Sequence, residues 1–447
     1  MLGVILIITP SIVFAAQDTG FDISDGPVEI SGQSGSYTIT GSSEQNSVKI
    51  TEGKHTITLN DLTIDLSREL NSGAFQISEG ASVKLVLKGE NTLYSSGTFA
   101  GINVPEGASV EISSESEGLL TVRGGMNADT GGAGIGGNSG ESAGKITINS
   151  GTVYATGGRF SAGLGGGDGY YGLELDSDAE PSPEDVVGVS GNGGEITIAG
   201  GFVTANGGYK GAGIGGGYAG NGGLITISGG SVESTSENSA AGIGGGYAGN
   251  GGRIIISGGT IDALSEFAGA GIGGGEYGSG GEIEISEGMI NAASNTFGAG
   301  IGGGQNGNSG KITISGGTVQ AVNHLYAAGI GGGKGGNAEE ITILGGTVTA
   351  RGGSYGAGIG GGQDGNGGTV VISGGSVSAV AGSGAEDIGA GQGGSDSGSL
   401  TYKNTESVIT KNLVIIIIIG VLAAAFIVIL SLYLNLKKKR LISKQED

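Results

Sequence analysis

The sequence predicts an all-β chain: a right-handed parallel β-helix of 29-residue coils, followed by one C-terminal transmembrane helix. Three observations carry that expectation. An Ala-Gly-Ile-Gly-Gly-Gly signature recurs with its central residue at Ile135, Leu164, Ile214, Ile243, Ile272, Ile301, Ile330 and Ile359, and in decayed form at Ile388. From Ile214 onward every step is 29 residues, and a fixed period with insertions only between units marks a solenoid. Between signatures, apolar and polar residues alternate in two short stretches, such as Glu195-Ile196-Thr197-Ile198 and Phe202-Val203-Thr204-Ala205. Period two is the pattern of a half-buried strand. Finally, Gly-Gly pairs such as Gly229-Gly230 and Gly258-Gly259 stand between those strands, where the chain needs corners at positive φ. Right-handed winding is the default for parallel crossovers.

The elements follow in chain order. An apolar run from Met1 ends in Val13-Phe14-Ala15-Ala16, which reads as a signal peptide over 1–15, although it lacks a basic leading segment. Residues 18–130 are less regular and less glycine-rich, with strand candidates such as Thr56-Ile57-Thr58-Leu59 and Val83-Lys84-Leu85-Val86-Leu87. They are expected to form diverged N-terminal coils. Residues 131–388 hold the regular repeats. No single unit buries its own apolar face, but coils stacked about 4.8 Å apart turn equivalent positions into continuous rows. Val203, Val232, Ile261, Ile290, Val319, Val348 and Val377 form one expected inward row, and Ile198, Ile227, Ile256, Ile285, Ile314, Ile343 and Ile372 another. Asn192, Asn221, Asn250, Asn308, Asn337 and Asn366 recur in the turn before the first strand. They are expected to tolerate a left-handed backbone and to hydrogen-bond side chain to side chain as a ladder.

The one long step, from Leu164 to Ile214, contains an insertion over 168–187. Its Asp176, Asp178 and Glu180 are spaced so that three carboxylates can converge on a hard cation such as Ca²⁺. The run lacks the glycine and terminal glutamate of an EF-hand loop, and an exposed acidic loop is the plainer reading. Ca²⁺ is the one cofactor the sequence leaves open. Residues 389–410 read as a Gly/Ser-rich linker. Residues 413–434 contain no charge, enough to span a bilayer as a helix. Lys437-Lys438-Lys439-Arg440 then assign the tail, 435–447, to the cytoplasm and the rod to the outside of a cell membrane.

Composition narrows the function classes. The net charge is −22, which repels nucleic acid, so none is expected as a partner. There is no cysteine, hence no disulfide framework and no thiol chemistry. Together with the lack of any Asn-x-Ser/Thr site, this points to a bacterial or archaeal source. His55 and His324 are far apart and read as polar surface. The glycine runs lack the Lys-Ser/Thr of a phosphate loop. Glu233 and Asp262 fall on equivalent outward positions of neighbouring coils, close enough for an acid/base pair but equally two solvated acids. No catalytic residue is assigned, and the chain is not expected to be an enzyme.

Aromatic residues give the better signal. Phe160, Tyr209, Phe267, Phe297, Tyr326 and Tyr355 precede the Ala-Gly-Ile segment by a few residues, and Tyr218, Tyr247 and Tyr277 follow the glycines. Stacking would align each set along an edge of the rod. Flat rings can stack on sugars, so Tyr209, Phe267, Phe297, Tyr326, Tyr355, Tyr218 and Tyr247 are candidate ligand-binding residues. The alternative is a stack that seals a turn, since rings about 4.8 Å apart match one another better than successive sugars.

The Ile-Thr-Ile, Gly-Gly-Thr-Val and Ala-Gly-Ile-Gly-Gly-Gly units resemble those of bacterial secreted and cell-surface carbohydrate-binding domain-containing proteins with glycine-rich β-helix repeats. The stretch from Val48 to Val122 resembles their less repetitive portion. The resemblance implies a pectate-lyase-like solenoid shape, and a polysaccharide or cell-surface glycan as partner, with Ca²⁺ in some cases. The expected function is a non-enzymatic, membrane-anchored surface β-helix that binds polysaccharide or mediates adhesion. The alternatives are a polysaccharide lyase or hydrolase on the same scaffold, and a passive spacer or surface coat.

Overall fold

In the computed structural model the strands pair in parallel and follow the repeat, with antiparallel contacts limited, among the described residues, to the isolated bridges Pro105–Ala143 and Met126–Gly131. The described residues are 19–114, 118–127, 130–169 and 191–402. The chain divides into Met1–Ser407 and Val408–Asp447, and the second unit lies outside the described residues. So do the expected signal peptide, the carboxylates Asp176, Asp178 and Glu180, and the expected span 413–434. Among the described residues no helix is long and apolar enough to cross a membrane.

Each coil contributes three strands. Lys145–Ile148 pairs with Glu195–Ile198, and that strand with Leu224–Ile227. Thr152–Thr156 pairs with Phe202–Asn206 on the second face. The Ile-Gly pairs of the signature make a third face, a 13-stranded sheet running from Val28–Ile30 to Ile388–Gly389. The long step is absorbed without slippage: Leu164 stands opposite Ile214, and Lys145 opposite Glu195. The first two faces merge into one 22-stranded sheet because some strands run through the corner, as do Arg253–Ser265 and Glu282–Ser294.

The two expected inward rows are buried along their whole length, and so is the row of signature residues from Ile135 to Ile359. Alternation therefore predicted the core correctly. Outward charges pair across coils: Lys145 with Glu195, and Arg253 with both Glu282 and Glu284. These pairs are about half exposed, so each contributes no more than about 1 kcal/mol and chiefly favours the correct register.

Glycine is required most strictly on the third face. Gly136, Gly165, Gly215, Gly244, Gly273, Gly302, Gly331, Gly360 and Gly389 all have φ between 131° and 145°. A Cβ at Gly244 would overlap the carbonyl oxygen of Gly273 in the next coil. The Gly-Gly corners behave differently from expectation: only the second residue, such as Gly230 at φ 83°, is left-handed. At Gly229 the constraint is steric, because a side chain would meet the carbonyl of Ala199.

The asparagine row is also built differently. Asn192 Oδ1 accepts from the backbone N–H of Asn221 at 2.9 Å, Asn221 Oδ1 from Asn250 N–H at 2.9 Å, and Asn250 Oδ1 from Ser279 N–H at 2.9 Å. The ladder links side chain to the next coil's backbone, because the N–H there needs an acceptor that a turn does not provide. None of these asparagines is left-handed. The left-handed row is instead Ala219, Ala248, Tyr277, Asn306, Gly335, Asp364 and Gly393.

The N-terminal coils stay in register with the repeats, and Ser109–Ile112 pairs with Lys145–Ile148. A short 3-10 turn at Ile23–Asp25 buries Ile23 at that end, with Phe21 and Tyr37 against the core. His55 is buried rather than exposed, with Nε2 2.8 Å from the Glu52 carbonyl. At the other end the solenoid continues into the expected linker: Ser399–Tyr402 pairs with Thr369–Ile372. Backbone hydrogen bonds carry that last strand, while Leu400 and Tyr402, opposite the buried Val370 and Ile372, stay exposed.

Two glycine-related substitutions should act in opposite directions. Gly244→Ala should cost several kcal/mol, on the order of 3, because backbone must move in two coils. Ala248→Gly should stabilise by up to about 1 kcal/mol by releasing the left-handed strain at φ 59°. Denaturant melts of the two variants check both signs.

Candidate binding surfaces on the solenoid

The aromatic residues separate into two clusters, and register explains their geometry. Phe297, Tyr326 and Tyr355 are 29 residues apart and stack nearly parallel, with centroids 5.1 and 5.4 Å apart and interplanar angles of 13°. Phe267 lies one residue out of that register and meets Phe297 edge-on, at 5.0 Å and 85°. Lys334 Nζ caps the row, 5.2 Å from the Phe297 ring and 5.0 Å from Tyr326. Tyr326 thus has a neighbouring ring on each face, and a ligand there would meet ring edges.

The second cluster is interior. Phe160, Tyr218 and Tyr247 are buried, Tyr209 packs against them, and Tyr218 stacks on Tyr247 at 5.1 Å. Lys210 is buried among these rings, with Nζ 4.1 Å from the Tyr247 centroid. A desolvated cation over an aromatic face contributes about 2 kcal/mol. The structure therefore brings the seven predicted aromatics into two stacks, of which the Phe267–Tyr355 set reaches the surface.

The second-strand face holds an arrangement of which the sequence singles out only Glu233 and Asp262. Its outward row runs Tyr154, Thr204, Glu233, Asp262, Asn291 and Gln320, paired coil to coil. Asn291 Nδ2 donates to Asp262 Oδ1 at 3.0 Å. At one end Tyr154, 38% exposed, meets Phe202 edge-on at 6.1 Å. Strand parity would have found this pair: both aromatics occupy outward positions beside the inward Val153 and Val203. The result is a strip with the exposed Tyr154 ring and the half-buried Phe202 at one end and carboxylates and amides along its length.

The corner after the second strand carries two notches. Gly157-Gly158, Gly207-Gly208 and Gly352-Gly353 occupy it without side chains, whereas Ser236-Glu237, Ser265-Glu266, Ser294-Asn295 and Asn323-His324 fill it. One notch, about 440 Å³, is flanked by Met126, Asn127, Arg159, Tyr209 and Glu237. The other, about 220 Å³, lies between His324, Arg351 and Ser354.

One buried carboxylate stands out. Asp168 has no exposed surface, and burial pushes its pKa up to about 6 against hydrogen bonds that lower it. Those come from Ser139 Oγ, Gly131 N–H at 2.9 Å and Gly140 N–H at 3.2 Å, so the side chain ties together neighbouring coils. Among the described residues no group of three or more His, Cys, Asp or Glu could hold a metal ion.

Seven segments match a family model described as Beta helix repeat: residues 146–168, 196–218, 225–247, 254–276, 283–305, 312–334 and 341–363. Each begins at the first strand and ends in the turn beyond the glycines, so the match follows the coils. Among curated proteins and among solved structures nothing matches the chain.

Asp168 gives a pH signature. Its folded pKa is raised above the ordinary 3.8, so the folded form holds its proton more tightly than the unfolded chain. That contribution, on the order of 3 kcal/mol, is full below about pH 4 and is lost as pH rises through about 6. Asp168→Asn should flatten the fall in denaturation midpoint between those values relative to the parent. In the exposed stack, Tyr326→Ala should cost about 1–3 kcal/mol by removing a ring sandwiched between two others. A Tyr326→Ala melt unchanged from the parent would show that the stack does not seal the turn.

Proposed function

We propose that this β-helix repeat protein is a non-enzymatic surface module that binds polysaccharide. The observation that carries the reading is the strip of Tyr154, Phe202, Thr204, Glu233, Asp262, Asn291 and Gln320 on the second-strand face. An exposed ring offers the C–H face of a sugar an apolar platform. Carboxylates and amides beside it accept from and donate to hydroxyls. A parallel sheet sets these groups in a straight line along the stack, which suits an extended polymer better than a small ligand. The exposed stack from Phe267 to Tyr355 supplies ring edges along a second line.

The reading includes right-handed winding, a cleaved signal over 1–15 and anchoring by a helix over 413–434, with the rod outside the cell. Protease added to intact cells should trim the rod and spare the tail. Ca²⁺ enters through Asp176, Asp178 and Glu180, so binding is to be measured with and without it. Adhesion is the same chemistry directed at another cell's glycan.

One observation favours a second reading. Glu233 and Asp262 stand directly opposite each other in register, which places two carboxylates side by side on the strip, as a hydrolase would require. A glycan array combined with a reducing-sugar assay separates the two. The expected result is binding without sugar release, reduced about tenfold or more by Tyr154→Ala with Phe202→Ala at an unchanged melting temperature. Sugar release at enzyme-like rates would replace binding by hydrolysis. No binding to any polymer would leave a passive spacer.

A further inference from the structure

The notch at Gly352-Gly353 differs chemically from the rest of the rod. It is a cleft of about 220 Å³ lined by one charged side chain, Arg351 from the end of a second strand, together with His324 from the preceding corner and Ser354. No acidic side chain lines it. Arg351 makes none of the ion pairs found among the described residues, unlike Lys145, Arg253 and Lys311. Among the described residues it also has no aromatic ring beneath it, unlike Arg123, Arg159, Lys210 and Lys334. The nearby acid Asp387 turns its carboxylate to the backbone N–H of Ala381, at 3.1 Å.

The cleft is built to keep its shape. Asn323, buried beside His324, donates from Nδ2 to the carbonyls of Ser294, Thr296 and Gly298 and accepts at Oδ1 from Leu325 and Ala327 N–H. That network pins the corner bearing His324 to the coil before it. On the floor, the N–H groups of Gly352, Gly353 and Gly382 are already bonded to the carbonyls of Val380, Ala327 and Gly356. An incoming group would therefore be held by the side chains of Arg351, His324 and Ser354.

We propose that this notch binds the anionic substituent of a polysaccharide, a carboxylate or a sulfate ester, with Arg351 as its principal contact and His324 and Ser354 beside it. The inference rests on the polysaccharide reading and adds the class of polymer. Guanidinium matches both oxyanions with paired N–H donors, and charge-assisted bonds of this kind are about twice as strong as neutral ones. The chain's net charge of −22 opposes an anion only at long range. At physiological ionic strength the screening length is about 8 Å, so a contact pair outweighs remote acids.

The test uses the full-length protein and three polymers: a neutral glucan, a polyuronate and a sulfated galactan. Affinity is read by calorimetry at low and at physiological ionic strength. At least one anionic polymer should bind about tenfold or more tighter than the neutral glucan, and salt should weaken that preference. Arg351→Gln should abolish the preference, Arg351→Lys should keep part of it, and His324→Gln should reduce it less. Because Arg351 is exposed, the melting temperature should not change. The two anionic arms distinguish carboxylate from sulfate. Equal binding of all three polymers, or a preference untouched by Arg351→Gln, overturns the inference and leaves the polysaccharide reading standing. No binding to any of the three removes both.

Discussion

The close approach of backbone to backbone on the glycine face is the constraint on which the rest of the structure depends. At eight equivalent glycines, from Gly136 to Gly360, the chain of one coil lies against a carbonyl of the next, with no room for a Cβ. That contact holds consecutive coils at strand spacing where the strands are only two residues long and could not pair on their own. Once the third face is fixed, the inward rows of the other two must stack like on like. Glycine is costly in an unfolded chain, and here the cost is offset by hydrogen bonds and burial that no larger residue would permit.

Much of the remaining chemistry is register made visible. Residues 29 apart become neighbours, so the same row can be an ion-pair column, an amide ladder or a ring stack, depending on what the sequence places there. The contrast between Phe267 and Phe297 shows how sharp this is. A single-residue offset converts a parallel stack into an edge-on contact. The same logic makes the corner informative. Where Gly-Gly replaces a residue pair with side chains, the surface gains a notch, and its walls are whatever the adjacent coils present.

The period, the strands and the core were legible in the sequence because they are one-dimensional signals: Ile256 or Val319 can be assigned inward from parity alone. The details that depend on three coils at once were not. The asparagine row was found, but its acceptor role toward the next backbone N–H was not, since nothing in Asn221 or Asn250 says where its amide will point. His55 carried no pattern that separates a buried ring from a surface one. Ser399–Tyr402 alternates polar and apolar like the other strands, but it lies beyond the last signature in a Gly/Ser-rich stretch that reads as a linker. At the surface, the aromatic edge was anticipated, yet not its division into a buried cluster and a stack that reaches the surface, nor the lysines Lys210 and Lys334 placed against the rings. Tyr154 and Phe202 were readable from strand parity, but the paired positions Thr204 and Ser231 in the following coils carry no ring.

The uniform direction of the inter-coil hydrogen bonds has a mechanical consequence. They run along the stacking axis, so tension applied between the two ends of the stack would load them in series. Such bonds fail one rung at a time, whereas strands sheared lengthwise must break many together. Each coil that yields would exchange about 4.8 Å of stack for roughly 100 Å of extended chain. A solenoid of this design is stiff when pressed and compliant when pulled from its ends, and it would let out length coil by coil.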